Sequence, residues 1–374
     1  MKICVFMHRF DDGGAEKTTI CLLNELAERG HEITLAIRYN YGPLKKLLSE
    51  DIKIIDMKLQ ENGKLKKNIL NVKFLMKLIK SGEFDILVPI LSDMSQVTSL
   101  AKRLSNSKIP VVSVVHTTIS IEKISFPKIR KLLGRFFDKK YNKVVTVSES
   151  VRQDYISYSS PDEDKVVTVY NPIVNDKMIE LSKERPDHPW LAENRDFVTL
   201  LLVGRLNHAK NHPLMFETLK LLRENGDFRL ILLGEGEEKE KLQQLVSKMG
   251  LSEFVDFHGY VKNPYGYMGF CDCVMLSSHY EGLPTVLVEA LVAGARIVSV
   301  NCKAGPDEIL VGGKYGILTE PGDSKGLADG VIEAMKQNQD REFLLSRAMD
   351  FTVEQAVDTY ERIFQKEIEN AYKN

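Results

Sequence analysis

The chain is poor in cysteine and tryptophan, with five and one among 374 residues. Cys4, Cys21, Cys271, Cys273 and Cys302 are odd in number and scattered, and the close pair Cys271-Asp272-Cys273 does not match common zinc spacings. They read as thiols of a reducing compartment, not as a disulfide framework. Nowhere do about 18 apolar residues run unbroken, which excludes a transmembrane helix. The opening MKICVFMHRF lacks the basic flank, long apolar core and cleavage site of an export signal, so a cytoplasmic location is expected. No Asp-x-Asp pair follows a strand, because Asp11-Asp12 is contiguous and precedes a glycine pair. No metal and no cofactor are therefore expected. Low-complexity tracts and short repeats are absent as well.

What is present suits a folded protein of two domains. Hydrophobic residues make up 43% and charged residues 28%, an ordinary globular balance, and the length fits two domains of roughly 150–200 residues. The net charge of −1 conceals an asymmetry: through Lys143 there are 26 Lys and Arg against 15 Asp and Glu, and beyond it 25 against 37. A basic first half suits either an anionic partner or solvated lysine-rich helix faces.

Short β-branched runs alternate with longer helical patterns. Strands are predicted at Ile3–Met7, Glu32–Ile37, Ile52–Met57, Ile86–Ile90, Val111–His116, Val144–Ser148 and Val166–Tyr170, with helices such as Glu16–Arg29, Val72–Lys80 and Ser95–Leu104 between them. Strand, helix, strand in succession implies parallel pairing. The proline- and charge-rich stretch 171–196 interrupts the series and reads as a linker. A second series follows: Phe197–Val203, Arg229–Leu233, Val255–His258, Cys273–Ser277, Arg296–Val300 and Gly316–Leu318. The expected division is an α/β domain at 1–172, a linker at 173–196, a second α/β domain at 197–353, and a terminal amphipathic helix at 354–374 crossing back to the first. Two facing Rossmann-like domains of this kind would hold ligand in the cleft between them, at the carboxyl ends of the strands.

Three places carry chemistry. After the first strand, Gly13 and Gly14 open a helix, which suits either a tight βα turn or close approach of an anion to helix N–H groups. After Val198–Val203 come Gly204 and Arg205, then Lys210, two cations flanking a strand-to-helix turn, where they can neutralise a diphosphate without a metal. The most specific stretch is Glu281-Gly282-Leu283-Pro284-Thr285-Val286-Leu287-Val288-Glu289. Gly282 and Pro284 break the chain, a helix begins near Thr285, and Glu289 falls one turn into it. Free N–H groups from Gly282 to Thr285 can cradle a phosphate or hydroxyls, and a carboxylate there can accept bonds from vicinal hydroxyls.

Gly-Gly-Ala-Glu-Lys early, Val-Gly-Arg-Leu with Lys five residues after the Arg, and Glu-x7-Glu in EGLPTVLVEALVAG resemble the retaining glycosyltransferases of family 4, of GT-B fold. The resemblance runs over nearly the whole chain in order and spacing. Asn301–Leu310 resembles a variant common in bacterial surface-polysaccharide and glycan-assembly enzymes that use UDP-sugars. By that resemblance Arg205 and Lys210 bind the donor diphosphate, Glu289 the ribose hydroxyls and Glu281 the hydroxyls of the transferred sugar. The backbone after Glu281, through Gly282, Leu283, Pro284 and Thr285, contacts sugar or phosphate, and the loop through Tyr260 and Val261 holds the base by backbone groups. Gly13, Gly14 and His116 line the opposite wall. The resemblance also implies retention at the anomeric carbon, and no carboxylate nucleophile of the glycosidase kind is evident. A front-face displacement assisted by the leaving phosphate is expected.

The partners expected are a UDP-sugar donor, a glycan acceptor carried on a lipid, and an anionic membrane surface. The last rests on residues 119–143, where Lys128, Arg130, Lys131 and Arg135 accompany Ile129, Leu132, Leu133, Phe136 and Phe137 at helical spacing. A helix packed on its own domain with lysines in solvent fits the same pattern. Nucleic acid is not expected, since no stacking aromatics or binding motif accompany the cations. Competing readings are a nucleotide-sugar epimerase and a non-catalytic two-lobed sugar-binding protein.

Overall fold

A computed structural model describes residues 1–11, 13–57, 64–121, 136 and 138–373. It divides into two compact units, Met1–Pro172 with Val353–Asn374, and Ile173–Thr352.

The first unit is built on parallel strands β1 (Lys2–Arg9), β2 (Glu32–Tyr39), β3 (Lys53–Asp56), β4 (Ile86–Pro89), β5 (Val112–Val115), β6 (Lys143–Thr146) and β7 (Val166–Thr168). They pair as β3-β2-β1-β4 and β5-β6-β7, and bridges Leu87↔Val111 and Ile90↔Val114 set β4 beside β5. Ile3, Val5 and Met7 on one face and Cys4 and Phe6 on the other are all buried, so the run reads as continuously apolar. The core is closed by the last helix, Val353–Lys373, through Ala356, Val357, Tyr360 and Phe364. Polar contacts fix its register: Arg29 pairs with Asp358 and Glu361, and His31 Nε2 lies 2.6 Å from Glu361.

The second unit holds β8 (Val198–Val203), β9 (Phe228–Leu233), β10 (Val255–Gly259), β11 (Cys273–Leu276), β12 (Ile297–Val300) and β13 (Ile317–Thr319), in the order β10-β9-β8-β11-β12-β13, with every pair parallel. The chain starts in the middle, winds one way through β10, then returns to wind the other way. The loops after β8 and β11 therefore part at a topological switch point, where ligands of open α/β sheets bind.

The stretch 173–196 is not a linker. It folds within the second unit as the helix Asp176–Leu181 and a 3₁₀ turn at Pro189–Leu191. Asn263 donates to the Leu181 carbonyl at 2.9 Å, and His188 Nε2 lies 2.9 Å from Asp256. A Cβ at Gly266 or Gly269 would come within 2.3 Å of the Glu184 or Ser182 carbonyl, so both glycines admit this backbone. The stretch is held by individual long-range pairings, Arg195 with Asp272 among them, which no periodicity announces. Ile173 and Val174 also donate to the Phe351 carbonyl at 3.1 and 3.0 Å, lacing the start of this unit to its end.

Cys4, Cys273 and Cys302 are buried and Cys21 and Cys271 half-buried, and among the described residues none of the five forms a disulfide. Among the described residues no helix is long and apolar enough to cross a membrane.

Candidate functional site

At the switch point of the second sheet, β8 runs into Gly204 and then a 3₁₀ turn, His208–Lys210. A Cβ on Gly204 would stand 3.1 Å from Lys210 Cε, so the glycine lets the lysine fold back over the strand end. The next loop closes on this one: at Gly234, φ +134°, a Cβ would meet the Gly204 carbonyl oxygen at 2.1 Å. From the other side, the His279 amide donates to the Ala209 carbonyl and the Ser277 hydroxyl to the Lys210 carbonyl, both at 2.8 Å.

These stitches bring two charged residues together from 71 positions apart. Lys210 Nζ lies 2.6 Å from Glu281 Oε1, and the Ser278 hydroxyl donates to the same oxygen at 2.7 Å. Their side chains are only 21% and 14% exposed, so removing either partner strands a largely buried charge. With both bonds on Oε1, Oε2 is the oxygen a ligand hydroxyl can meet. Arg205 stands exposed in the same loop. Cys302 sits close by: burial, and then the Glu281 charge, push its thiol up to about 12, with Lys210 opposing.

Gly282, Leu283 and Pro284 are buried and lead into the helix Thr285–Ala293. Pro284 provides no side-chain cap, and of the first-turn N–H groups that of Leu287 donates to the Pro284 carbonyl at 3.0 Å. Gly305 supports this loop at φ +99°, where a Cβ would come within 2.3 Å of Pro284 Cδ. Glu289 lies one turn into the helix and is 5% exposed. Tyr260, 55% exposed, and Val261 follow the end of β10.

The remaining expected residues belong to the first unit. Gly13 caps the helix Gly14–Glu28 without a side-chain bond, and Gly14 is exposed. His116 follows β5 and is buried; among the described residues neither ring nitrogen has a partner, and burial pushes its pKa down to about 4. The ring is thus neutral near pH 7. Lys128, Arg130, Lys131 and Arg135 lie outside the described residues.

Several site features were not foreseen. Ser278 shares the Glu281 oxygen, and its signal in sequence is a hydroxyl three residues before the carboxylate. Arg38, buried at the end of β2, lies 3.1 Å from His8 Nδ1. A third is the cluster His188, Asp256 and His258, whose ligand atoms lie within 4.8 Å of one another. Hydrogen bonding already commits these atoms. The Trp190 amide donates to His188 Nδ1 at 3.1 Å, so neutral His188 carries its proton on Nε2 and donates it to Asp256. A metal on Nε2 would require an imidazolate. The cluster is a hydrogen-bond network.

Two family models tile the chain: "Glycosyltransferase Family 4" matches residues 12–177 and "Glycosyl transferases group 1" matches residues 184–349. In sequence the chain is 25% identical to the N-acetylgalactosamine-N,N'-diacetylbacillosaminyl-diphospho-undecaprenol 4-alpha-N-acetylgalactosaminyltransferase of Campylobacter jejuni, over 93% of each chain. It is 24% identical to a second enzyme of that organism, a GalNAc-alpha-(1->4)-GalNAc-alpha-(1->3)-diNAcBac-PP-undecaprenol alpha-1,4-N-acetyl-D-galactosaminyltransferase, over 99% of this chain and 100% of the other. In structure it is similar to an Anabaena protein solved with UDP-glucose, with TM-score 0.80, 22% identity and coverage of 98% and 100%. A glycosyltransferase from Rickettsia africae gives TM-score 0.80 at 19% identity, covering 99% of both chains.

Proposed function

Since the chain belongs to the family 4 glycosyltransferases of GT-B fold, we propose that it moves a hexose or N-acetylhexosamine from a UDP-sugar to a hydroxyl of a lipid-linked glycan, with retention at the anomeric carbon. The observation that carries this reading is the Lys210–Glu281 contact of 2.6 Å at the switch point of the second sheet. It sets a cation for phosphate beside a carboxylate for sugar hydroxyls, within one loop pair.

Each residue then has a task. Arg205 and Lys210 take the diphosphate, Glu281 orients the sugar through its hydroxyls, and Glu289 receives the ribose. The N–H groups at the start of Thr285–Ala293 add a positive end for phosphate. In the reaction the acceptor oxygen bonds to the anomeric carbon on the face the diphosphate leaves. The bond from that carbon to the phosphate oxygen breaks, and the acceptor proton passes to the departing phosphate. Charge grows on that phosphate, where the two cations stabilise it. No metal is assigned a step.

Support for the lipid-linked acceptor comes from the two Campylobacter jejuni relatives, whose names specify undecaprenol-linked substrates. The cations of 119–143 support an anionic membrane surface as a partner and the inner face of the cell membrane as the place of reaction. Support for UDP comes from the Anabaena structure with UDP-glucose.

The test is release of UDP from a panel of UDP-sugars, with and without lipid-linked glycan extract. Wild type releases UDP when the acceptor is added, EDTA leaves the rate unchanged, and NMR of the product finds the donor's anomeric configuration. Lys210→Met and Glu281→Gln each lower kcat about 10²–10³-fold, the usual loss for a group aimed at transition-state charge. Interconversion of sugars without acceptor would point to an epimerase, and binding without turnover to a receptor. Either outcome overturns the proposal.

A further inference from the structure

The hydrogen-bond network beside β10 is more elaborate than packing requires. Four groups join, with donors running in from both ends to the Asp256 carboxylate. The Tyr267 hydroxyl meets His258 Nε2 at 2.8 Å, His258 Nδ1 meets Asp256 Oδ2 at 3.1 Å, and His188 Nε2 meets that same oxygen at 2.9 Å. The Trp190 amide closes the far end on His188 Nδ1. The donors and acceptors agree throughout if both imidazoles are neutral and Asp256 is ionised. The bonds from His188 and then His258 indeed hold the Asp256 carboxyl below its ordinary range. The rings of His188, His258 and Tyr267 also pack edge-on or tilted, with centroids 5.0 to 6.0 Å apart.

Where this network grips the chain is informative. The register of β10 against β9 shifts between Phe257 and Gly259, so His258 is the extra residue of a bulge. Gly259 follows at φ +85°, with the position of a Cβ occupied by Glu235 Oε1 at 2.6 Å. The chain then turns out into Tyr260 and Val261 and re-enters as the helix Pro264–Phe270. Both ends of this short loop are held by one segment: His188 grips β10 through Asp256, while the backbone of 181–184 grips the helix through Asn263, Gly266 and Gly269. A bulge at a strand end redirects the residues after it, and an edge strand has no second neighbour to fix that direction. Here side chains supply it.

We propose that the chain Tyr267–His258–Asp256–His188 positions the nucleotide base of the donor, by fixing the bulged end of β10 so that the backbone of Tyr260 and Val261 meets the ring edge. The inference rests on the donor reading above and adds to it a set of positioning residues remote from the diphosphate. None of the four touches the reacting atoms, so they govern donor affinity and base selectivity and leave the chemical step alone.

Equilibrium binding of UDP and of inorganic pyrophosphate to the full chain tests this. Pyrophosphate engages only the cations of the diphosphate site and serves as the internal control. His258→Ala and Tyr267→Phe should weaken UDP binding about three- to tenfold, the range of one or two lost hydrogen bonds, and leave pyrophosphate binding unchanged. His258→Asn, whose amide can still donate to Asp256, should recover most of the loss. Donor KM should rise in the first two variants while kcat stays level, and their preference for UDP over CDP should narrow. Tyr267→Phe keeps the ring and so keeps the test valid if His258→Ala folds poorly. Wild type that binds UDP alongside unaltered His258→Ala and Tyr267→Phe overturns this inference alone. Equal loss of UDP and pyrophosphate also overturns it, since that is general damage to the unit. Wild type that binds no nucleoside diphosphate overturns the donor reading and this inference with it.

Discussion

Two imidazoles, His116 and His212, are buried with no hydrogen-bond partner among the described residues, and burial pushes both down to about 4. Lys210 adds to the effect at His212. In the unfolded chain each titrates near 6.5. Between those values the unfolded chain binds more protons than the folded one, so stability falls as pH drops from 6.5 toward 4 and is fully present above it. The loss is worth about 3 kcal/mol for each group at most. His116 lies in the first unit and His212 in the second, so each acts on its own unit. Thermal melts from pH 7 to 4.5 should therefore fall more steeply for wild type than for the His116→Asn, His212→Asn double variant. Parallel profiles would show that these rings are protonated in the folded protein. The same neutrality restricts His116 to giving or taking a hydrogen bond with a ligand; it supplies no charge.

At the scale of elements, the loops of the second unit depend on glycines that have no substitute. Gly305, at φ +99°, sits where a Cβ would come within 2.3 Å of Pro284 and 3.1 Å of the Gly282 carbonyl. Gly305→Ala should cost about 1–3 kcal/mol through backbone strain. It should also raise donor KM, because the loop that must move carries Gly282–Pro284. Unchanged melting and KM would mean that the loop yields freely. The strands were legible in sequence because parallel strands buried on both faces read as near-continuous apolar runs; β8, at Val198–Val203, and β12, at Ile297–Val300, are examples. The break before the helix at Thr285 was legible from Gly282 and Pro284. The segment 173–196 was not, since its order comes from single contacts such as His188 with Asp256, 68 residues apart. Nor was the bulge at His258, which only the register against β9 reveals. Local pattern announces periodic elements; it is silent about pairings between distant, individually unremarkable polar residues.

For the whole molecule, the assignment of the helix Val353–Lys373 to the first unit means that this unit's core draws on both ends of the chain. Val357, Tyr360 and Phe364 are each 3% exposed or less, so removing the helix uncovers an apolar face of the sheet. At about 1.5–3 kcal/mol for each large side chain, the loss approaches the whole stability of a typical domain. A chain ending at Thr352 should melt in its first unit well below the full-length protein and bind a hydrophobic dye, while the second unit keeps its own transition. Equal melting of both units would show the helix to be dispensable.

That arrangement also sets an order of events during synthesis. The second unit is contiguous, from Ile173 to Thr352, and can finish folding as soon as it clears the ribosome. The first unit must wait for the helix Val353–Lys373, made only after the whole second unit, an interval of roughly tens of seconds at ordinary elongation rates. Until then its unfinished sheet presents open hydrophobic surface to whatever chaperone or neighbouring nascent chain is at hand.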